Sequence, residues 1–357
     1  MKRAIVYDWI DTFGGAERLL QSVFDAYPEA DIFTLFTRFK DSPWAVKYRS
    51  RIHTSYLQPL YSLCHSKPLL APLMPTATES FRLDTYDEVL SITSSFVKGI
   101  KTSAHHVSYV FTPTRFLWSQ KKLYQPHSLV SPIIEHMKKW DLNAATRPHT
   151  LLTLSHFSQK AIKQTYSRSA KVLYPPFDRA YFIGIKKRAR KINLPSHYFL
   201  FVGRLEPYKR VDMLLEIFKQ RPAVHLVIVG TGTQAYTLQK MASGTHTIHF
   251  ISEVPDEELA YIYQKAIATI LPQQEDFGYV ALESLFFDTP VITVSESGAA
   301  EIVKICGGGI VSTKQTVHAI GGIVDIFHTL SYTINHQKIA HFSKEIFLQK
   351  LKKEIGG

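Results

Sequence analysis

The sequence predicts an α/β protein made of two doubly wound domains, each a parallel sheet covered by helices. Three observations carry that expectation. The chain has 357 residues, enough for two domains of ordinary size. From Tyr198 to Val311, short apolar runs alternate with stretches of helical period, the pattern of right-handed βαβ crossovers. The chain opens with a strand, a glycine loop, an amphipathic helix and a second strand, the unit from which such sheets are built.

The first strand is Ala4 to Tyr7, and the loop after it ends in Gly14-Gly15. From Ala16 to about Tyr27, Leu19, Leu20, Val23 and Phe24 share one helical face. Further strands are expected at Asp31 to Phe36, Val89 to Ile92, Val107 to Phe111 and Thr150 to Leu154. Tyr56 to Pro75 is rich in Pro and Leu without a clean period, and is read as an irregular insertion. Ser155 has the side chain of an N-cap for a helix through Ile162 to Tyr166. Then come Lys171 to Tyr174, the breakers Pro175-Pro176, the basic run Lys186 to Lys191, and Pro195. Residues 176–196 are therefore assigned as a linker after a first domain at 1–175.

The second domain, 197–335, is more regular. Strands are expected at Tyr198 to Val202, Val224 to Val229, Thr247 to Ile251, Ala266 to Leu271, Pro290 to Val294 and Gly309 to Val311. Helical patterns lie between them at Pro207 to Lys219, Thr233 to Met241, Asp256 to Lys265 and Tyr279 to Phe287. A last helix, His341 to Lys353, falls in a segment at 336–357 that is free to cross back to the first domain.

The formal net charge of +12 points to anionic partners: nucleic acid, acidic headgroups or phosphorylated ligands. No aromatic–basic ribonucleoprotein motif accompanies it, so nucleic acid is not expected. Cys64 and Cys306 are distant in sequence and have no metal-type spacing, which suits a reducing cytoplasm. The apolar stretch after Met1 ends at Asp8, too soon for a signal peptide. The apolar run Leu69 to Met74 is far too short for a bilayer and is broken by Pro72. His105-His106 has no acidic or cysteine companions nearby in sequence and is read as surface or core rather than a metal site.

Two stretches carry chemistry. Glu275 and Glu283 stand eight positions apart, with Gly278 between them where a loop turns into a helix. Strands on both sides place Glu275 at the carboxyl end of a strand, the edge at which open parallel sheets bind ligands, and Glu283 two turns into the helix. Carboxylates accept hydrogen bonds from hydroxyls, and a helix start offers unpaired N–H groups. A polyhydroxylated ligand with an anionic portion suits both. Upstream, the strand Phe199 to Val202 ends at Gly203, and Arg204, Lys209 and Arg210 surround Pro207, a residue fitted to a first helical turn. Cations at that end oppose the helix dipole, at about 0.3–1 kcal/mol each, unless an anion lies between them. Arg204 with Lys209 would clamp a diphosphate, whereas Arg210 reads as exposed. Gly14-Gly15 and Gly230-Thr-Gly232 are weaker phosphate candidates, since neither completes a dinucleotide fingerprint.

Together these residues resemble the family 4 retaining glycosyltransferases of the GT-B fold. The resemblance rests on Gly14-Gly15-Ala16-Glu17, Ser155 to Ser158, Tyr174 to Asp178, Val202 to Lys209, Val229 to Gly232 and the Glu275 to Glu283 signature. Tyr7 to Trp9, Tyr86-Asp87, Lys98-Gly99, Thr112 to Arg115 and Trp118 are similar to the branch that builds bacterial surface polysaccharides, often mannosyltransferases. The resemblance implies two Rossmann-like domains facing across a cleft that holds a nucleotide-sugar donor. Arg204 and Lys209 would hold its diphosphate at the strand end marked by Gly203. Glu275 would hold sugar hydroxyls, helped by the N–H groups of Phe277 and Gly278, and Glu283 the ribose. Gly14 and Gly15 would let the first domain approach the phosphate. No metal and no further cofactor are implied, because the cations and helix start stabilise the departing nucleoside diphosphate.

The sequence departs from the family at Phe111, where relatives commonly carry a histidine near the donor sugar. A phenyl ring cannot hydrogen-bond a hydroxyl, so a 6-deoxy sugar or a rearranged loop is implied. The acceptor implied is a glycan or lipid-linked hydroxyl. The 56–75 insertion and Lys121, Lys122, Lys138, Lys139 and Trp140 are candidates to meet an anionic membrane from its cytoplasmic face. Asp8 and Asp11, by the first loop, could reach an acceptor hydroxyl, but the preferred reading is that of ordinary loop aspartates. The rival expectations are a sugar-nucleotide epimerase on the same fold and a non-catalytic basic nucleic-acid-binding protein. Glycoside hydrolysis fits poorly, because it needs both carboxylates beside one bond.

Overall fold

A computed structural model describes residues 1–119 and 131–356. The chain forms two compact units, Met1–Pro176 with Lys344–Gly357, and Phe177–Ser343. Lys121 and Lys122, named above as membrane candidates, lie outside the described residues.

The first unit holds a seven-stranded parallel sheet: β1 (Arg3–Tyr7), β2 (Asp31–Thr34), β3 (Ile52–Thr54), β4 (Glu88–Thr93), β5 (His105–Val110), β6 (Thr150–Thr153) and β7 (Lys171–Val172). Their order is β3-β2-β1-β4-β5-β6-β7. The winding reverses between β1 and β4, with Tyr7 opposite Ile92, so the topological switch point lies at their carboxyl ends. Asp8 occupies that point. Its buried carboxylate accepts the N–H groups of Ser94, Ser95, Phe96 and Val97 at 2.8–3.0 Å and the Thr93 hydroxyl at 2.9 Å. Asp11 accepts from Tyr61 at 2.7 Å and pairs with Lys67 at 2.8 Å. Both side chains already serve protein donors, in keeping with the reading of Asp8 and Asp11 as loop aspartates.

The insertion after β3 is helical. The helix Gln58–Cys64 is followed by Lys67–Leu70, Ala71–Leu73 and Met74–Glu79. Each turn restarts at a proline in its first two positions, which fits an N-terminal turn but cannot continue the turn before it. That restarting erases the period in the sequence. Tyr61 stacks on Phe36 with ring centroids 3.9 Å apart and ties the segment to the core, while Tyr56, Leu60, Leu63, Leu69 and Leu73 stay exposed.

The motif residues Lys98, Thr114 and Trp118 do structural work. The Lys98 ammonium is 1 % exposed and lies 2.5 Å from Asp141 Oδ1. It also donates to the Ser95 carbonyl and to Thr114. Asp141, on the helix Ser131–Ala144, accepts from Thr114, Trp118 and Tyr166 as well, at 2.7–2.8 Å. Nearby, burial pushes the His106 imidazole down to about 3, where it stays neutral and bonds Ser91 at 2.8 Å. His106 is a core residue.

The second unit holds β8 (Tyr198–Val202), β9 (His225–Val229), β10 (Ile248–Ile251), β11 (Ala268–Leu271), β12 (Val291–Val294) and β13 (Gly309–Ser312), all parallel in the order β10-β9-β8-β11-β12-β13. Phe199, Phe201, Leu214, Phe218, Leu226, Ile228 and Ile270 fill its core. Two domain boundaries need correction. The stretch 176–196 contains the helix Arg179–Lys187, capped by the Asp178 carboxylate, and joins the second unit. Phe182 and Ile185 are buried, and the basic side chains find acids: Lys186 with Asp288, Arg188 with Glu257, Arg190 with Glu258. A linker would bury no such apolar side chains. At the other end, 336–343 stays with the second unit and the helix Lys344–Ile355 groups with the first, burying Phe347, Leu351 and Ile355 at the four-residue spacing of one helical face. Among the described residues, no helix is long and apolar enough to cross a membrane.

Lys98→Met should leave Asp141 as a buried charge without its cation and cost about 3–5 kcal/mol. Urea unfolding followed by amide exchange in the first unit measures the loss. A change within about 0.5 kcal/mol would show that the remaining hydroxyl and indole donors suffice.

Candidate active site

In the second unit the winding reverses between β8 and β11, so the loops that leave these strands share the switch point. The β8 loop carries Gly203 to Arg210, and the β11 loop carries Pro272 to Gly278. Gly203 donates its N–H to Val229 O at 3.0 Å. A Cβ on Gly230, whose φ is +144°, would stand 2.0 Å from Gly203 O. Only glycine at 230 lets the loops after β8 and β9 lie backbone to backbone.

The expected helix from Pro207 does not run unbroken. Pro207–Lys209 is a single tight turn, Arg210 adopts a left-handed conformation with φ 54°, and the helix proper is Val211–Lys219. The left-handed residue turns the chain so that Lys209 projects from the tight turn rather than from a helix start. Glu206, just before it, accepts from Thr233 N–H and hydroxyl at 3.1 and 2.6 Å and holds the loop.

Lys209 and Glu275 meet: the ammonium donates to Glu275 Oε1, and the two side chains are only 13 and 15 % exposed. The Gln273 amide donates to the same oxygen at 2.5 Å. Arg204 is exposed on the loop and donates to the Tyr208 hydroxyl at 3.2 Å. The Tyr208 ring lies 5.2 Å from the Lys209 ammonium, so Tyr208 links the two cations.

The Glu275 backbone is strapped to the start of the helix Gly298–Cys306. Its N–H donates to Ser297 Oγ at 3.0 Å and its carbonyl accepts from Gly298 N at 2.7 Å. Gly278 immediately precedes the helix Tyr279–Phe286 with φ +95°, and a Cβ there would lie 2.8 Å from the Cβ of Ala299. Two helix N-termini therefore converge behind Glu275, the second of them capped by Ser297. The Phe277 ring is buried between those of Tyr279 and Phe342, at 5.0 and 5.8 Å. Glu283 is 5 % exposed and accepts from the Tyr263 hydroxyl at 3.0 Å.

Of the candidate residues, Lys209 and Glu275 are in direct contact, Gly203 and Gly278 shape their loops, and Arg204 joins through Tyr208. Glu283 stands on the helix that Gly278 opens, with Tyr263 as its partner. Gly14, Gly15 and Phe111 lie in the first unit. Gly14 precedes the helix Gly15–Ala26 after β1, and Phe111 follows β5, buried with its ring edge-on to Tyr109 at 5.8 Å. Gln273, Tyr208, Tyr263 and Ser297 were not singled out from the sequence. Ser297-Gly298 is a legible helix start, but the others carry no motif. Among the described residues, no group of three or more His, Cys, Asp or Glu is placed to hold a metal ion.

The fold class is now defined: two parallel-sheet, Rossmann-like units of the GT-B type, with a cation–carboxylate pair at the switch point of the second. Residues 183–329 match the family model described as Glycosyl transferases group 1. Among curated proteins, the chain is 27 % identical over 205 residues to the O-antigen chain mannosyltransferase RfbU of Salmonella typhimurium, covering 55 % of each chain. It is 27 % identical over 197 residues to the D-rhamnosyltransferase WbpZ of Pseudomonas aeruginosa, covering 52 % of this chain and 48 % of that one. The chain spans about half the length of the curated relatives it matches. Among solved structures, HepE of Anabaena in complex with UDP-glucose aligns over 99 % of both chains with a TM-score of 0.68 at 20 % identity. WaaG, a glycosyltransferase involved in lipopolysaccharide biosynthesis, aligns over 99 % of this chain and 100 % of that one with a TM-score of 0.67 at 15 % identity.

Gly278→Ala should force both the left-handed backbone and the Ala299 contact to give. A loss of about 1–3 kcal/mol in thermal or denaturant unfolding of the second unit is expected from strain of that kind. Unchanged stability would mean that the turn relaxes at no cost.

Proposed function

We propose that the chain is a glycosyltransferase that moves a hexosyl or deoxyhexosyl group, with retention of configuration, from a nucleoside-diphosphate sugar to a hydroxyl of a glycan or lipid-linked acceptor in surface polysaccharide synthesis. The observation that carries this reading is the Lys209–Glu275 pair at the β8/β11 switch point, inside the segment that matches the family model. The names of RfbU and WbpZ support the substrate class, and the UDP-glucose bound to HepE supports a nucleotide-sugar donor.

The chemistry follows from charge. A glycosyl bond breaks with negative charge growing on the departing diphosphate. Lys209, Arg204 and the N–H group at Gly278 supply positive potential there, so no metal is required for that task. Glu275, held by Lys209 and by Gln273, presents a carboxylate to sugar hydroxyls. Glu283 receives the ribose, with Tyr263 fixing its side chain. Gly203, Phe277 and Gly278 contribute backbone, and the family resemblance adds Gly14 and Gly15 as donor-phosphate residues. Phe111 carries no hydrogen-bonding group where the resemblance expects a histidine, and a 6-deoxy donor sugar is proposed from that residue type.

A panel of UDP-, GDP- and dTDP-sugars, read by thermal shift and by transfer to polyprenyl-linked glycan acceptors, tests the proposal. One nucleoside diphosphate should stabilise the wild type. Lys209→Ala should lower kcat/KM by about 10²–10³, the usual cost of removing one charge-stabilising donor. Phe111→His should shift preference from the 6-deoxy donor toward the hexose. Conversion of the donor to an altered nucleotide sugar without acceptor would indicate an epimerase instead.

The membrane partner is proposed on different ground. Leu60, Leu63, Leu69 and Leu73 are exposed on the Pro-restarted turns, in a chain of net charge +12. Insertion of leucines beside an anionic headgroup layer suits both features. Vesicles rich in phosphatidylglycerol should retain the protein at low salt and release most of it at about 1 M salt, where charge is screened within about 3 Å. Leu63→Asp with Leu69→Asp should abolish retention. Equal binding to neutral vesicles would overturn the electrostatic part.

A further inference from the structure

We infer that Gln273 is a positioning residue for Glu275, and that its amide sets the rotamer in which that carboxylate meets the donor sugar. This rests on the donor-site reading above. Gln273 sits two residues past the end of β11, is 1 % exposed, and places Nε2 at 2.5 Å from Glu275 Oε1. The same oxygen receives the Lys209 ammonium. Two donors from two loops thus converge on one oxygen, one charged and one neutral.

The division of labour between them is physical. Lys209 is a mobile point charge on a four-carbon stem, and by itself it leaves the carboxylate free to swing about it. An amide is planar and directional. Anchored in a buried position at a strand end, it defines where Oε1 lies. Lys209 can then turn toward an incoming diphosphate without releasing Glu275 from its place.

The amide's other end supports the assignment. Gln273 Oε1 is buried and makes no hydrogen bond among the described residues. A buried acceptor without a partner is costly, and an apolar side chain of the same volume would remove that cost. Methionine would fill the same space, and the one partner of the amide's Nε2 among the described residues is Glu275. Rotating the amide by half a turn would bring Oε1 against the carboxylate, so the observed orientation is the one in which the carboxylate is bound.

The test is a double-mutant cycle. Gln273→Met, near in volume and without a donor, is measured alone and in the Glu275→Ala background, with kcat for donor turnover and the Kd of the matching nucleoside diphosphate as readouts. A positioning role predicts a fall in kcat of about tenfold or more for Gln273→Met. The Kd of the nucleoside diphosphate, which lacks the sugar, should change less than about twofold. In the Glu275→Ala background the same substitution should cause no further loss, because the two residues act as one unit. Gln273→Asn, which keeps the amide but withdraws it by one methylene, should behave like Gln273→Met and provides the measurement should methionine fail to fold. Equal losses in both backgrounds, or no loss in either, would overturn the inference. A wild type that binds none of UDP, GDP or dTDP would overturn the donor reading itself, a separate and distinguishable result.

Discussion

The site depends on one ion pair, Lys209 with Glu275, and that pair depends on topology. The two residues are 66 positions apart in sequence. They meet because β8 and β11 are adjacent strands whose connections depart to opposite sides of the sheet. At such a point the two loops part and leave a recess at the carboxyl ends of the strands. Everything near it serves to hold the loops there: Gly203 against Gly230, Glu206 on Thr233, and the Glu275 backbone on Ser297 and Gly298.

The first unit has the same winding and uses its switch point differently. There the carboxylate is Asp8, and its oxygens are consumed by four successive backbone N–H groups and a threonine hydroxyl. A helical turn that would otherwise expose unpaired donors is closed by the protein's own anion. In the second unit the carboxylate, Glu275, follows β11, the counterpart of β4 rather than of β1, and side chains hold it, an ammonium and an amide, which can exchange partners far more easily than a backbone. The two sheets share a topology, and they differ in whether backbone or side chains hold the carboxylate at the switch point.

Much of the architecture was legible. Strands buried on both faces read as apolar runs, and the alternation with helices announced a parallel doubly wound sheet. Glu275, Gly278 and Lys209 were legible too, because residue type and position after a strand already limit their chemistry. The failures have physical causes. The insertion at 56–75 hid its helices because each turn begins again at a proline. The basic stretch at 186–191 looked like a solvated linker because its acidic partners, Glu257, Glu258 and Asp288, are about 70–100 residues away. Arg210 broke a helix that its side chain gave no reason to break.

Local chemistry is written in neighbouring residues, and the sequence by itself determined it: which segments are strands, where glycine allows a turn, which loops carry cations or carboxylates. Pairing between distant segments is decided by burial and by the order of strands, which no local pattern records. Tertiary structure alone therefore decided that Lys98 and Asp141 neutralise each other in a core, that Asp8 is spent on backbone, and that Gln273 and Lys209 share one oxygen of Glu275. A charge in a low-dielectric interior must find its counter-charge wherever the fold places it, and only the folded chain specifies where that is.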